Sequence, residues 1–427
     1  MKIQNILKSK VTKNAGWLIG GRVYHMLLAF VVGLITARYL GPSNYGLINY
    51  ALTYTTFFAS FCTLGINSII VKDFVDHPED EGLTIGSTII LRTISSALSF
   101  IMMLCITFIM DKGENVTHIV IALCGIGVLF QVFDTINYWF QSKLESKYSA
   151  IATVISYTVV SVYKIWLLIT GKSVEWFAVS TSLDYFVVAV FLMIVYKKHN
   201  GPQFAFSKQK AKALLGSSYH FILASLMVSI YGSTDKFMLK QMMNEAMVGY
   251  YSTAVSLCNT WVFVLSAIID SLYPSILQAF EKDKSLFERR NRQLYMIVFY
   301  ISVGVSLIIS IFARPLVYIL YGEAYLPTVM PLRIITWYTA FSYLGVARNA
   351  WIVSYNCQNY LKYLYVGAAI TNVLLNAIFI PMWGASGAAF ASLITQLSTI
   401  LIFPMFIKSL RPNVRLMIDA ICLKDVF

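Results

Sequence analysis

The sequence predicts an all-α polytopic membrane protein with about twelve transmembrane helices in two six-helix bundles. Of its 427 residues, 58% are hydrophobic and only 12% are charged, and the mean hydropathy is +0.68. A soluble chain of this length could not enclose so much apolar surface in one core, whereas lipid tails solvate outward-facing apolar side chains. The third observation is the regular recurrence of apolar runs long enough to cross a bilayer.

Each predicted span contains at least the roughly twenty mostly apolar residues that cross about 30 Å of hydrocarbon. The predicted spans are residues 14–36, 46–70, 84–110, 117–140, 148–170, 174–196, 213–240, 247–275, 292–320, 328–355, 360–382 and 384–407.

Lysine and arginine in the connections predict the orientation of these spans. With the N-terminus inside, the inside segments hold 22 basic residues and the outside segments hold four, Arg38, Lys112, Lys172 and Lys240. Positive charge accumulates on the cytoplasmic side of membrane proteins. We therefore expect a cytoplasmic basic N-terminus (1–13), a cytoplasmic tail (408–427) and both termini inside, in a bacterial cytoplasmic (inner) membrane.

The longest inter-helix segment, residues 197–212, predicts a cytoplasmic linker between two bundles, 14–196 and 213–407. A short internal similarity supports this division. Gly46-Leu-Ile-Asn-Tyr-Ala51 opens the second span, and Gly249-Tyr-Tyr-Ser-Thr-Ala254 opens the eighth at the matching place. Parallel halves of this kind are common in secondary transporters that rock about a central site.

Several functional classes lack their sequence signatures. The chain has no Walker A loop, GxSxG elbow, HExxH pair or Rossmann glycine pattern, and its six cysteines show no CxxC spacing. We expect no enzyme activity, no cofactor and no metal site. The basic residues that give the net charge of +13 lie mostly in the connections between spans. They therefore indicate membrane orientation rather than nucleic-acid binding.

Ionisable side chains inside spans are the candidate functional residues, because each costs about 2.5–3.5 kcal/mol on insertion scales. Lys236 lies near a span end and is expected to extend to the interface. Deeper cations suit an anionic substrate, and phosphate above all, because arginine offers paired donors and lysine a point charge. The candidate substrate-binding residues are Arg22, His25, Arg92, Lys164 and Arg348. Groups that could bind a coupling proton or sodium ion are Asp134, Asp184, Asp235 and His220.

Four segments, in order along the chain, resemble the O-antigen and polysaccharide flippase family of the multidrug/oligosaccharidyl-lipid/polysaccharide (MOP) exporter superfamily. They are Ala37-Arg-Tyr-Leu-Gly-Pro-Ser-Asn-Tyr-Gly46, Asp235-Lys-Phe-Met-Leu239, Gly249-Tyr-Tyr-Ser-Thr-Ala254, and Asn376-Ala-Ile-Phe-Ile-Pro381 with Gly384-Ala-Ser-Gly-Ala-Ala389. One segment departs from the family pattern, since residues 354–360 lack the expected glycine and charged residues between spans 10 and 11.

The resemblance implies two six-helix bundles that form a V-shaped central cavity and work by alternating access. It also implies that a lipid-diphosphate-linked oligosaccharide moves from the cytoplasmic to the periplasmic leaflet, with H⁺ or Na⁺ as a candidate coupling ion. Membrane lipid and a polysaccharide polymerase complex are candidate partners. Two rivals stay open: a cation-coupled multidrug exporter of the same superfamily, and a membrane-embedded polymerase or acyltransferase.

Overall fold

The protein, described from a computed structural model, is helical along nearly the whole of residues 10–424, the part of the chain that the structure describes. Some side chains in this range, that of His220 among them, lie outside the description. Seventeen α-helical segments follow one another within these residues: α1 Lys10–Cys62, α2 Asn67–Asp76, α3 Glu81–Met110, α4 Asn115–Phe130, α5 Asp134–Ser142, α6 Lys147–Ile169, α7 Val174–Lys198, α8 Lys208–Met242, α9 Glu245–Asn259, α10 Phe263–Lys282, α11 Lys284–Tyr321, α12 Val329–Ala347, α13 Asn349–Ser354, α14 Leu361–Trp383, α15 Ala385–Leu397, α16 Phe403–Met405 and α17 Arg411–Ile421.

Nine helical segments in the described residues are long and apolar enough to cross a membrane, which confirms the predicted class of polytopic helical membrane protein. Predicted spans 1 and 2 fall in one of them, Gly16–Cys62, because α1 continues past a break at Gly41 (φ 71°). The predicted spans 213–240 and 328–355 are not among the nine, and the predicted span 247–275 is divided, since α9 ends at Asn259 and the candidate span begins at Phe263. The total of twelve crossings therefore stays a prediction.

The chain forms two compact units. Unit 1 contains the chain up to Leu40 together with Leu47–Ser229, and unit 2 contains Gly41–Gly46 together with the chain from Ile230 onward. Each unit has its own apolar core: aromatic side chains such as Trp139 and Phe140 in unit 1, and Phe287 and Trp351 in unit 2. The division between the units falls inside α8, whereas the sequence placed the boundary in the linker before that helix.

Helix α3 shows how these helices are built. Its buried face carries small polar residues, including Thr84, Ser96 and Ser99, at helical spacing, while Ile94 and Leu98 are exposed. In water the apolar side chains would be buried instead. A bundle in lipid places small residues at helix contacts, where they allow close packing, and leaves large apolar side chains on the outside.

The predicted linker is partly helical and is held against unit 1. It is non-helical over 199–207, between the end of α7 at Lys198 and the start of α8 at Lys208. The backbone amide of Ala205 donates to the carbonyl oxygen of Gly82 (3.1 Å), and Lys210 Nζ pairs with Asp73 (2.8 Å). The linker is therefore attached to the start of α3 rather than free.

The segment that departs from the family pattern forms a tight turn without glycine. Helix α13 ends at Ser354, and Asn356 adopts a left-handed backbone conformation with φ 53°. Asparagine is one of the few non-glycine residues that enter this region readily. Asn356 therefore takes the place of the glycine that the family pattern led us to expect.

The C-terminal segment predicted as a tail contains a packed helix. Leu416 and Met417 of α17 enter the core of unit 2, and Asn413 donates a hydrogen bond to the hydroxyl of Tyr295 (2.7 Å). Arg411 and Arg415 lie on the exposed face. The amphipathic sequence therefore closes the core of unit 2 on one side and presents positive charge on the other.

The two similar glycine segments meet within unit 2 in a reciprocal backbone crossing. A Cβ atom on Gly46 would lie 1.8 Å from the carbonyl oxygen of Glu245, and one on Gly249 would lie 2.1 Å from that of Pro42. Each glycine thus faces the residue four positions before the other, as a crossing of two equivalent helix starts requires. The segments are similar because both must allow this approach.

We expect Gly46→Ala or Gly249→Ala to destabilise the protein by about 1–3 kcal/mol, because neither backbone can move without breaking the crossing. Thermal unfolding in detergent measures the effect. The matched control is Gly304→Ala in α11, where a Cβ meets nothing within 4 Å and should be neutral or stabilise by up to about 1 kcal/mol. Equal stability of the control and either crossing variant would contradict this interpretation.

Candidate functional site

The carboxylate of Asp235, in the C-terminal part of α8, is an enclosed charged group of unit 2 with a full set of partners. Its side chain is 9% exposed. Oδ1 accepts hydrogen bonds from the side-chain amides of Asn372 (3.0 Å) and Asn376 (2.7 Å) of α14. Oδ2 accepts from the hydroxyl of Tyr251 in α9 and from Oγ of Ser392 in α15. Donors from three helices therefore converge on a carboxylate supplied by a fourth.

All four partners of Asp235 are neutral, and none of the basic side chains in the described residues pairs with its carboxylate. Taking an ionised carboxylate out of water costs several kcal/mol. Hydrogen bonds to a charged group offset part of that cost, at about 1.5–3 kcal/mol each. No ion pair balances the negative charge, and Lys236 acts on it only at longer range, so a bound proton or a small cation is favoured.

The same side chains could supply oxygen ligands to such a cation. The carbonyl oxygen Oδ1 of Asn376 is buried and accepts no hydrogen bond, and the hydroxyl oxygens of Tyr251 and Ser392 keep free lone pairs. Carboxylate, carbonyl and hydroxyl oxygens suit hard cations. Within the described residues no cluster of three or more histidine, cysteine or acidic side chains has metal-binding geometry, so this neutral-rich set resembles a monovalent cation site more than a transition-metal site.

A cavity of about 300 Å³ lies beside this cluster, inside unit 2. Asp235, Tyr251 and Ser392 form part of its wall, and so does the neighbouring Lys236. The sequence placed Lys236 at a membrane interface, but the structure places it on a cavity wall. A ligand in this cavity would touch the Asp235 cluster directly.

Unit 1 brings together three of the residues that the sequence selected. His25 of α1 and Lys164 of α6 both interact electrostatically with Asp184 of α7, without a direct ion pair in the described residues. Ser156 donates a hydrogen bond to the Asp184 carboxylate (2.5 Å), and the His25 ring meets the Tyr157 ring edge-on, with centroids 3.4 Å apart. The arrangement is a half-buried cluster of one lysine, one histidine and one carboxylate.

Arg22 lies outside this cluster. Its side chain is exposed, and it is not among the groups that act on Asp184. The neighbouring Tyr24 instead links α1 to α6 through the hydroxyl of Thr158 (2.8 Å). Arg22 is thus accessible to a ligand, but no other sequence-selected residue accompanies it.

Arg92 is enclosed in unit 1, with 1% exposure. Its guanidinium donates to Asn67 and to Thr135 (3.2 Å) rather than to Asp134, and it lies 5.7 Å from the ring centre of Tyr138. Asn67 and Thr135 both follow helix breaks. Arg92 therefore holds two interrupted helices together, and Asp134 beside it contributes a compensating charge.

Arg348 is enclosed in unit 2 in a comparable way, with 3% exposure. It lies between α12 and α13 and donates to the carbonyl oxygen of Thr399 (3.4 Å). Thr399 belongs to a π-helical turn, Ser398–Ile402, and such turns leave carbonyl groups in need of a donor. Of the remaining candidates, the side chain of His220 lies outside the described residues.

Sequence reasoning selected Asp235 but missed the side chains around it. A signal existed: Asn372 and Asn376 are four residues apart and so share one face of a helix. Tyr251 and Asn376 also lie within the family segments, and Ser392 follows the last of them. The cluster explains why three separate segments carry family-specific polar residues: they surround one carboxylate.

The small residues of the last family segment serve helix packing, as expected. A Cβ atom on Gly387 would lie 2.0 Å from the carbonyl oxygen of Phe379, and Ala388, Ala389 and Ala391 are fully buried. This contact brings α15 against α14. It therefore places Ser392 close to the two asparagines.

Comparison with known proteins agrees with this architecture. A 24% identical relative is the "Uncharacterized membrane protein MJ1375" of Methanocaldococcus jannaschii, aligned over 91% of this chain and 96% of the relative. Among solved structures, an inward-facing multidrug resistance MATE family transporter of the MOP superfamily has a TM-score of 0.74 at 18% identity, over 92% of this chain and 94% of that one. The lipid II flippase MurJ, in an inward closed conformation, has a TM-score of 0.72 at 12% identity, over 95% and 91%.

These structural similarities establish the fold, and a match to a family model also establishes the family. The model of the family described as "Polysaccharide biosynthesis protein" matches residues 11–280, which is more than half of the chain and includes the segments around Gly46, Asp235 and Gly249. The chain therefore belongs to the polysaccharide biosynthesis protein family and has the fold of the MOP superfamily of transporters and flippases.

Proposed function

We propose that this protein is a flippase that moves a prenyl-diphosphate-linked oligosaccharide from the cytoplasmic to the periplasmic leaflet in exchange for a cation. The observation that carries the proposal is the Asp235 carboxylate, buried among four neutral donors. A bundle that only had to be stable would have no use for such a group, since an uncompensated buried charge weakens it. In a transporter, the same carboxylate provides a site at which a cation binds and from which it is later released.

The substrate class follows from the family and from the charge inside the spans. A lipid-linked sugar carries a diphosphate, and the exposed Arg22 and the half-buried Lys164 are cationic groups that can bind phosphate oxygens, with His25 as a further hydrogen-bonding group. The prenyl tail would stay in the lipid while the head group crosses. No covalent bond is made or broken, so the process is transport and not catalysis.

Cation coupling supplies the energy and the direction. Moving one elementary charge across a membrane potential of 100 mV is worth about 2.3 kcal/mol. Coupling requires that the cation bind one conformation more tightly than the other. The Asp235 cluster meets this requirement because its ligands come from α8, α9, α14 and α15, so any change in the packing of these helices alters the cation site.

A cation-coupled multidrug exporter is the second candidate, since the fold of a MATE family transporter is as similar to this chain as that of MurJ. Such an exporter would favour acidic groups facing its substrate. In unit 1 the ammonium group of Lys164 interacts with one carboxylate, Asp184, and the exposed Arg22 adds a second positive charge. That balance, together with the polysaccharide family match, favours an anionic substrate in the bacterial cytoplasmic membrane.

Asp235→Asn should remove cation coupling, because the amide cannot compensate a bound cation. We expect wild-type protein in proteoliposomes to flip a fluorescent prenyl-diphosphate oligosaccharide faster under an imposed Na⁺ or proton gradient. The variant should show no acceleration with either gradient. Asp270→Asn, which neutralises an exposed carboxylate of α10, is the matched control and should behave as wild type. Gradient-driven flipping that persists in Asp235→Asn would refute the coupling role.

Lys164→Ala and Arg22→Ala should weaken the apparent affinity for the same substrate by about 10- to 100-fold each, the value of a hydrogen bond to a charged group. The concentration dependence of flipping in proteoliposomes measures this. Lys198→Ala, at an exposed position at the end of α7, is the control and should leave the affinity unchanged. If both variants matched the control, head-group binding by these residues would be wrong.

A further inference from the structure

The cavity beside Asp235 has features that cation coupling does not explain. It encloses about 300 Å³ between α8, α9, α12 and α15. That volume is at the small end of the range of small-molecule pockets, about 300–1,000 Å³. A cation with its ligands needs far less space, and a complete oligosaccharide needs far more. The cavity is of the size that a single sugar residue requires.

Lys236 is the unexplained charge in this cavity. It is partly buried, lines the wall, and forms no ion pair or hydrogen bond with any of the described residues. Its neighbour Asp235 attracts it electrostatically but forms no ion pair with it, because both oxygens of that carboxylate already accept hydrogen bonds from four other side chains. An ammonium group held away from bulk water without a direct ion-pair partner is costly, so it favours an anion brought by a ligand.

The rest of the wall suits a carbohydrate. Tyr338 and Tyr343 supply aromatic rings, whose faces pack against the C–H faces of a sugar ring. Asn259, Thr339 and Ser342 supply amide and hydroxyl groups, which both donate to and accept from sugar hydroxyls. Apolar faces combined with two-way hydrogen-bonding groups match the mixed surface of a pyranose.

The charges on the cavity wall indicate which anionic ligand can bind in the cavity. Among the described residues that line the cavity, Lys236 is the one cation, and Asp235 contributes a carboxylate to the same wall. A diphosphate would bring two or more negative charges to a single ammonium group and a nearby carboxylate. With the proposed cation or proton bound at Asp235, a sugar carboxylate brings one negative charge, which balances that of Lys236.

We propose that the cavity of unit 2 binds one acidic sugar residue of the transported oligosaccharide, with its carboxylate paired to Lys236 and its ring between Tyr338 and Tyr343. This inference rests on the proposed flippase function and deepens it by naming an acidic sugar as part of the substrate. The diphosphate is bound elsewhere. Recognition of the sugar would then be separate from recognition of the lipid carrier.

Binding of glucuronate to the purified full-length protein in detergent tests the proposal without any need for flipping. We expect millimolar glucuronate to raise the Tm by roughly 2 °C or more, since a ligand of the native state stabilises it. Glucose and inorganic phosphate, at matched ionic strength, should give no comparable rise. Failure of the flipping assay together with success here would disprove the transport proposal and leave this site standing.

Three variants of α8 test the role of Lys236. Lys236→Gln should weaken glucuronate binding by about 10- to 100-fold, and Lys236→Arg should retain part of it because the charge is kept. Lys212→Gln, at an exposed position on the same helix, is the matched control and should bind as wild type. Should Lys236→Gln fail to fold, the wild-type comparison of glucuronate with glucose decides the matter.

Four results would overturn the proposal. They are a Tm rise with glucose equal to that with glucuronate, a rise with phosphate at least as large, an undiminished glucuronate effect in folded Lys236→Gln, and no effect of glucuronate on the wild-type protein. The first would show a neutral sugar site, and the second a phosphate site.

Discussion

A carboxylate enclosed in a helical bundle needs hydrogen-bond donors on every side, and the arrangement of unit 2 around Asp235 meets that need. Because the donors come from α9, α14 and α15 while the carboxylate comes from α8, the cluster joins helices that are far apart in sequence. Each of those helices must approach closely enough for a short side chain to reach the centre. The close approach of Gly387 to the backbone of Phe379 meets this condition for Ser392.

The need for hydrogen-bond partners also divides the cations inside the bundles into two groups. Some stabilise the packing of the helices, and others remain available to a ligand. Arg92 and Arg348 are enclosed and donate to groups at helix interruptions. Their charge is used to satisfy backbone and side-chain acceptors that broken helices leave open. His25 and Lys164 interact with Asp184 only at long range, and Lys236 does the same with Asp235. Ionisable groups that make no such structural hydrogen bonds remain available to bind a ligand.

The two functional features of unit 2 share one wall. Asp235 lies between the cluster of neutral donors and the cavity that Lys236 lines. A cation at Asp235 and an anionic sugar at Lys236 would therefore be neighbours and would influence each other's affinity, since coupling free energies are reciprocal. Such proximity offers a direct physical link between ion binding and substrate binding within a single bundle.

The sequence by itself determined the membrane class, the family, and the identity of Asp235, Lys164 and His25 as residues that needed an explanation. Apolar runs, and the positions of charges within them, are read directly from the order of residues along the chain. The departure at residues 354–360 could not be interpreted from composition, yet Asn356 replaces the missing glycine through its backbone conformation.

Only the tertiary structure decided which charges have partners. Arg92 and Lys164 look alike in sequence, as single cations deep in apolar helices. Arg92 donates hydrogen bonds to Asn67 and Thr135, whereas Lys164 interacts with Asp184 only at long range. The same holds for Lys236, which the sequence assigned to an interface and the structure places on a cavity wall. Whether a charge is satisfied depends on side chains from other helices, and their positions are set by packing rather than by the neighbouring residues in the chain.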